Sequence, residues 1–99
     1  MFIALERLLN LDEGYRQVFQ LQGRSLLLMV VEGRTLLLEN RCPHQGAALD
    51  KASITAGVLR CPRHGIEFDL ASGRALSAPC ASLVYLPVAY DADRVGIDL

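Results

Sequence analysis

The chain has 99 residues, of which 52% are apolar, and its formal net charge at neutral pH is −1. A chain of this length and composition forms one globular domain around one core and is not disordered. There is no basic run to indicate nucleic-acid binding, and the longest apolar run, residues 26–31, is too short to cross a bilayer.

The N-terminal half predicts a three-stranded meander. Residues 4–11 carry leucines that allow one short helical turn, but no capping residue precedes them, so we predict no stable helix there. The predicted strands cover residues 15–21, 24–31 and 34–39. They are separated by Gln22-Gly23 and Glu32-Gly33. Glycine accepts the positive φ of tight hairpin turns, so both pairs are typical of such turns.

Residues 41–79 differ in character, because they hold three of the four prolines. We interpret them as a loop-rich insertion that contains one strand, residues 66–70, in which apolar and acidic residues alternate. Further strands are predicted at residues 83–90, where Pro87 indicates an edge or a bulge, and at residues 94–99. The predicted fold is all-β: a small antiparallel sandwich or barrel, one domain over residues 1–99, with a loop-rich subdomain at about 41–79.

Two short segments carry the chemistry. They are Cys42-Pro43-His44-Gln45-Gly46 and Cys61-Pro62-Arg63-His64-Gly65, and they contain both histidines and two of the three cysteines. Thiolate and imidazole are metal ligands. A zinc finger pairs Cys with Cys and His with His, whereas here each loop is mixed. A dinuclear cluster with two cysteines on one iron and two histidines on the other, as in a Rieske 2Fe-2S centre, fits the mixing better; a structural zinc module remains an alternative.

On these residues the chain resembles the Rieske ferredoxins. Residues 41–49 resemble the first cluster loop of that family, residues 57–65 resemble the second, and residues 85–88 resemble its return strand. The resemblance implies one 2Fe-2S cluster, with Cys42 and Cys61 on the inner iron and His44 and His64 on the outer iron. It also implies that Gly46 and Gly65 donate N–H groups to sulfide and that Pro79 lies on a covering loop.

The function that the resemblance implies is one-electron transfer. Such ferredoxins carry electrons from an NAD(P)H-dependent flavin reductase to a terminal oxygenase, and the chain is too short to hold a flavin or oxygenase domain as well. We therefore expect an electron-transfer component without substrate chemistry, and not an enzyme. We expect it to be monomeric and cytoplasmic, since no secretory signal is visible. An auxiliary subunit similar to the small subunit of assimilatory nitrite reductase is the alternative.

Departures from the family pattern bear on the reduction potential. Residues 45–49 contain no cysteine, Arg63 occupies the position of a second extra cysteine, and Ile66 replaces a serine that donates to the cluster in high-potential members. Fewer hydrogen bonds to sulfide stabilise the reduced cluster less, which predicts a low potential.

Basic residues and a third cysteine lie near the predicted loops. Arg41, Arg60 and Arg63 are interpreted either as a docking patch for an acidic partner or as ordinary salt-bridging residues. Cys80 is expected to be a small buried apolar residue near the covering loop.

Overall fold

The structure is a computed structural model that describes residues 1–63 and 65–99. Over those residues the chain forms nine strands in three antiparallel sheets of three strands each. The strands are β1 (Phe2–Arg7), β2 (Arg16–Leu21), β3 (Arg24–Val31), β4 (Arg34–Glu39), β5 (Ser53–Thr55), β6 (Val58–Arg60), β7 (Glu67–Asp69), β8 (Ala89–Asp91) and β9 (Arg94–Asp98). This confirms the predicted all-β fold. None of the helical structure in the described ranges is long and apolar enough to span a membrane.

The middle sheet, β2-β3-β4, is the predicted meander. Both of its turns have positive φ at the two central residues: 52° and 76° at Gln22-Gly23, and 52° and 74° at Glu32-Gly33. Turns of this kind match the twist of the paired strands. Strand β3 is buried on both faces, since Leu27 and Met29 enter one core and Leu26 and Leu28 enter the other. This explains why its sequence is continuously apolar instead of alternating.

A second sheet, β5-β6-β7, lies within residues 41–79, the segment interpreted as loop-rich. Strand β7 falls inside the predicted strand, but the β5–β6 hairpin was not predicted. Its turn, Ala56-Gly57, has φ values of 51° and 78° and so repeats the turn geometry of the meander. The hairpin is hard to detect because each strand has three residues, and β5 carries one apolar side chain, Ile54.

The third sheet, β1-β9-β8, joins the two ends of the chain. Strand β1 corrects the interpretation of the N-terminus, because residues 2–7 are extended and only Leu8–Asn10 form a 3-10 turn. β1 is stabilised by pairing with β9, from Phe2 opposite Asp98 to Arg7 opposite Arg94, and local sequence does not reveal such a distant partner.

The predicted strand at residues 83–90 is wrong in its extent. Leu86 donates its N–H to the Leu37 carbonyl at 2.8 Å, Tyr85 bridges Leu38, and regular pairing resumes only in β8. Pro87 has no N–H to donate and lies between the two paired parts, so the strand is interrupted where the proline was expected to disturb it.

Two apolar cores, and not the single core that was predicted, lie on opposite faces of the meander, because β3 buries side chains on both of its faces. The first core contains the cysteines of both predicted loops; its buried members are Leu27, Met29, Leu38, Cys42, Leu49, Ala52, Leu59, Cys61, Ile66, Phe68, Leu70 and Leu83. The second core is built from Leu26, Leu28, Leu37, Val95 and Ile97. The β1-β9-β8 sheet therefore closes the far side of the molecule, and the predicted site lies on the other side.

Glu13 gives the meander an acid-sensitive contact. Its carboxylate accepts the N–H groups of Glu32 at 2.7 Å and Gly33 at 2.9 Å, and these bonds lower the pKa of Glu13 below its ordinary value of 4.5. A lowered folded-state pKa means that the contribution to stability is present above pH 4.5 and is lost as the pH falls through the lower value. We expect Glu13→Gln to flatten the fall in melting temperature between pH 5 and 3.

The control for this experiment is Asp12→Asn, which alters a neighbouring exposed carboxylate. Melting curves of both variants and the parent, recorded across the same pH range, provide the comparison. An unchanged acid profile in Glu13→Gln would show that the turn contact does not couple stability to pH.

Candidate metal centre

The first predicted loop closes on itself through backbone hydrogen bonds. The Cys42 N–H donates to the Ala47 carbonyl at 2.7 Å, and the Gly46 N–H donates to the Cys42 carbonyl at 2.7 Å. Gly46 has a φ of +74°, a left-handed conformation that glycine adopts without strain. The loop therefore turns back sharply, and Cys42 lies at its buried base.

The second loop repeats the same pattern. The Cys61 N–H donates to the Ile66 carbonyl at 2.9 Å, and the Gly65 N–H donates to the Cys61 carbonyl at 2.9 Å. Both loops share the sequence Arg-Cys-Pro-x-x-Gly, beginning at Arg41 and Arg60. The expectation that Gly46 and Gly65 donate their N–H groups to sulfide is wrong in this structure, because both donate to cysteine carbonyls and so close the loops.

The two cysteines meet at the base of the paired loops. Cys42 and Cys61 are 1% and 2% exposed, and the neighbouring Cys61 side chain is one of the groups that raise the pKa of Cys42. Burial raises the pKa of the Cys42 thiol, and the backbone N–H groups of His44 and Gln45, which point at its sulfur, oppose that rise. Two N–H donors directed at one sulfur stabilise a thiolate, and a bound metal removes the thiol proton.

Of the two predicted histidine ligands, the structure describes only the first. His44 is exposed near the tip of the first loop, and the predicted ligand His64 lies outside the described residues. Over residues 1–63 and 65–99, no three Cys, His, Asp or Glu side chains converge on one point. The structure thus brings Cys42 and Cys61 together and leaves His44 apart from them, nearer to solvent.

Asn40 fixes the base of the first loop, although the sequence pattern does not single it out. Its side-chain oxygen accepts the Leu49 N–H at 2.7 Å, and its amide nitrogen lies 3.3 Å from Ser25 Oγ and 3.4 Å from Asp50 Oδ1. Asn40 is 9% exposed and follows β4 directly. One side chain therefore ties the start of the loop to its end and to β3. The only sequence feature that could have indicated this role is the position of Asn40 between a predicted strand and the Arg41-Cys42 pair.

A second polar contact holds the residues that follow this loop. Arg16 on β2 donates from Nη1 to the Asp50 carbonyl at 3.0 Å and to the Ala52 carbonyl at 2.6 Å. Asn40 and Arg16 together anchor residues 49–52 to the meander, so the orientation of Cys42 follows from the scaffold and not from the loop alone.

Replacing Asn40 by alanine is expected to loosen the first loop. The Leu49 N–H would lose its partner in a buried position, which costs about 1–3 kcal/mol. For a domain of this size, each kcal/mol lowers the melting temperature by about 4–8 °C. We also expect bound iron to be extracted faster by a chelator, because Cys42 would be held less firmly.

Asn10→Ala is the matched control for Asn40→Ala, since Asn10 donates to Glu6 Oε1 at 2.9 Å on the exposed surface. Thermal melting and iron-release kinetics of the two variants should differ clearly. Equal iron-release rates would refute a positioning role for Asn40.

The segment after β7 packs against the core that contains the two cysteines. Ala78 and Cys80 pack against the first core, whereas Pro79 between them is exposed. The Tyr85 hydroxyl donates to the Leu70 carbonyl at 2.7 Å, and the Leu83 N–H donates to the Gly73 carbonyl at 2.8 Å. Cys80 is thus a half-buried packing residue, and the cover is fastened by Tyr85 and Leu83 and not by the proline.

Comparisons with known proteins give a consistent assignment. Residues 2–87 match the family of the Rieske [2Fe-2S] domain. The ferredoxin component of the naphthalene 1,2-dioxygenase system of Pseudomonas aeruginosa is 33% identical over 93 residues, which cover 93% of this chain and 89% of that protein. The ferredoxin component of the alkene monooxygenase system of Xanthobacter autotrophicus is 30% identical over 89 residues, covering 89% and 73% of the two chains.

Among solved structures, the ferredoxin of Sphingomonas yanoikuyae B1 superposes with a TM-score of 0.84 at 27% identity. The superposition covers 100% of this chain and 99% of that one. The shared fold therefore extends beyond the two loops to the whole scaffold that positions them.

Proposed function

The chain belongs to the Rieske [2Fe-2S] domain family, and from that premise we propose that it serves as the ferredoxin of an oxygenase system. Its cofactor is one Rieske 2Fe-2S cluster, and it is an electron-transfer component rather than a catalytic enzyme. The observation that carries the proposal is the buried pair Cys42 and Cys61 at the base of two matching loops. An auxiliary subunit or a zinc module is less well supported, because the two relatives described above are named ferredoxin components.

We propose that Cys42, Cys61, His44 and His64 hold the cluster. The residues described fit this group: two adjacent buried sulfurs suit one iron, and N–H groups directed at Cys42 Sγ compensate the charge of a thiolate. His44 is exposed and lies two residues after Cys42 in the first loop, where it could serve as a ligand of a second iron nearer to the surface. His64 completes the set by its position in the second loop.

When bound, the cluster supplies reversible one-electron chemistry. The protein contributes the environment. The first core surrounds the cysteines with apolar side chains, and Ala78 and Cys80 pack over it, so water is kept from the sulfur side. His44 at the exposed tip provides the surface through which a partner makes contact. Because the loops lack the extra cysteines and the serine of high-potential members, we propose a low reduction potential.

The proposed partners are an NAD(P)H-dependent flavin reductase, which delivers electrons, and a terminal oxygenase, which receives them. We propose that the chain works in the cytoplasm, where NAD(P)H is available to such a reductase, as a monomer with residues 1–99 forming one domain. The substrate is a property of the oxygenase, and nothing in this chain selects it.

Electron paramagnetic resonance of the dithionite-reduced protein, with iron and zinc assays on the same sample, tests the cofactor and its ligation. We expect two irons per chain and a rhombic signal whose mean g value is below that of all-cysteine 2Fe-2S ferredoxins, because imidazoles replace two thiolates. One zinc per chain and a silent spectrum would make the protein a structural module.

Turnover in a reconstituted system tests the role. We expect NADH consumption by a flavin reductase and product formation by a terminal oxygenase to require this protein in catalytic amounts. An active cluster that supports no oxygenase, but co-purifies with a large partner, would favour the auxiliary-subunit alternative.

A further inference from the structure

A groove of about 400 Å³ lies beside the second loop, and the charged side chains that line it are all positive. Three basic side chains line it, Lys51, Arg60 and Arg63, and no acidic residue does so in the described part of the chain. Its remaining lining residues are Ser53, Cys61, Pro62 and Gly65. The groove therefore lies directly against the loop that carries one of the proposed ligands.

Two of the nearby guanidinium groups lie close to the backbone of the loops themselves. A Cβ placed on Gly65 would lie 2.7 Å from Arg60 Nη2, and one placed on Gly46 would lie 3.4 Å from Arg41 Nε. Each arginine thus folds back over the glycine that closes its own loop. Gly65 directly follows the proposed ligand His64 in the sequence, so the guanidinium group of Arg60 lies over the loop that carries this ligand.

These charges are not compensated within the described structure. The ion pairs found over residues 1–63 and 65–99 are those of the N-terminus with Asp98, Arg24 with Glu39, and Arg94 with Asp93. Lys51, Arg41, Arg60 and Arg63 are all exposed and belong to none of these pairs. Of the two interpretations of the arginines, ordinary salt bridging is the one that the described contacts do not support.

We propose that Arg41, Lys51, Arg60 and Arg63 form an electropositive docking surface, and that it receives an acidic patch on the partner protein. The inference rests on the proposed function, since it places the docking surface beside the loops that would pass electrons to the terminal oxygenase, which is the partner meant here. Guanidinium groups bind carboxylates through paired hydrogen bonds, and opposite charges steer the encounter of two proteins. The surface is basic although the whole chain carries a net charge of −1. The local charge and the net charge therefore predict opposite effects of salt on the reaction with a charged oxidant.

That opposition gives a direct test with small oxidants. The dithionite-reduced holoprotein is mixed with anionic Co(III)-EDTA or cationic hexaamminecobalt(III), each of which takes one electron and becomes Co(II). If the local surface governs the encounter, raising the ionic strength from about 10 mM to about 500 mM lowers the rate constant for the anionic oxidant by about tenfold. It does not lower the rate constant for the cationic oxidant. If net charge governs, the anionic oxidant speeds up, and the proposal is overturned.

The Arg60→Glu/Arg63→Glu double variant and a matched control locate the effect. Arg7→Glu/Arg34→Glu makes the same change in net charge at two exposed arginines that do not line the groove. We expect the salt dependence with Co(III)-EDTA to reverse in the loop variant and to keep its sign in the control. Equal responses of the two variants would also overturn the proposal. Reduction potentials are measured for both, because charge reversal also alters the driving force.

A readout that involves no electron transfer is binding of a hexaglutamate peptide by calorimetry. The holoprotein and the Arg7/Arg34 control should bind this acidic probe at low salt, and the Arg60/Arg63 variant should not. Failure of the proposed function looks different, since a protein without a redox-active cluster would react with neither cobalt complex in any variant.

Discussion

Serine in place of Cys42 is expected to leave the purified protein colourless and nearly free of iron. Cys42 is 1% exposed, and the backbone N–H groups of His44 and Gln45 and the side chain of Cys61 all influence the pKa of its thiol. A serine oxygen is a harder donor than a thiolate and would be a poor substitute for a cysteine ligand to iron in such a cluster. Iron content, visible absorbance and the spectrum of the reduced protein should all fall to background, from about two irons per chain in the parent.

Cys80→Ser is the control that separates ligation from cysteine content. Cys80 is half-buried and packs against the same core, so the variant makes the same chemical change without touching the paired loops. It should retain the cluster and lose only some stability. A coloured Cys42→Ser protein with full iron, or a Cys80→Ser protein without iron, would contradict the proposed ligand set.

Alanine at Gly96 is expected to be the most destabilising exchange at a glycine. Gly96 lies on β9 opposite Ala4, and a Cβ there would overlap the Ile3 carbonyl oxygen and lie 2.9 Å from the Ile3 carbonyl carbon. Both neighbours are backbone atoms, so relief requires the β1–β9 ladder to shift. Overpacking of this kind costs about 3 kcal/mol or more, and at about 4–8 °C per kcal/mol the melting temperature should fall by at least about 12 °C.

Gly14→Ala provides the comparison, because Gly14 has a φ of +89° but nothing within 4 Å of the added Cβ. Its effect should be limited to backbone strain, about 1 kcal/mol or slightly more. Melting of both holoproteins under anaerobic conditions gives the difference. A Gly96→Ala protein as stable as Gly14→Ala would mean that the terminal strands do not approach as closely as described.

The elements that could be predicted are those determined by residues close together in the sequence, and the elements that were missed depend on distant pairing or are very short. The meander follows from β-strand pattern and X-Gly turns, which act over a few residues, and its strands were predicted nearly to their ends. β1 depends on pairing with a strand some ninety residues later in the chain. Its single leucine, Leu5, stands at helical spacing from Leu8 and Leu9, so the local sequence gives no strand signal. The β5–β6 hairpin had a readable Ala56-Gly57 turn, but its strands are too short for periodicity to show.

At the candidate site, the sequence predicted the pair of cysteines but not the residues that support it. Cys42 and Cys61 follow from residue type and spacing, and the structure brings them together. Asn40 could not be predicted because its role depends on three contacts made by one ordinary polar residue. The direction of the Gly46 N–H was predicted wrongly, since it depends on which acceptor the loop conformation places nearest, here the Cys42 carbonyl.

The self-closing hydrogen bonds of the two loops bear on the speed of electron exchange. In both loops these bonds join backbone atoms of the same loop, so their geometry does not depend on the charge of what the cysteines bind. Gaining or losing an electron then demands little rearrangement of the surrounding chain. Small nuclear reorganisation lowers the activation barrier, and we expect a carrier built this way to exchange electrons rapidly even where the driving force between donor and acceptor is slight.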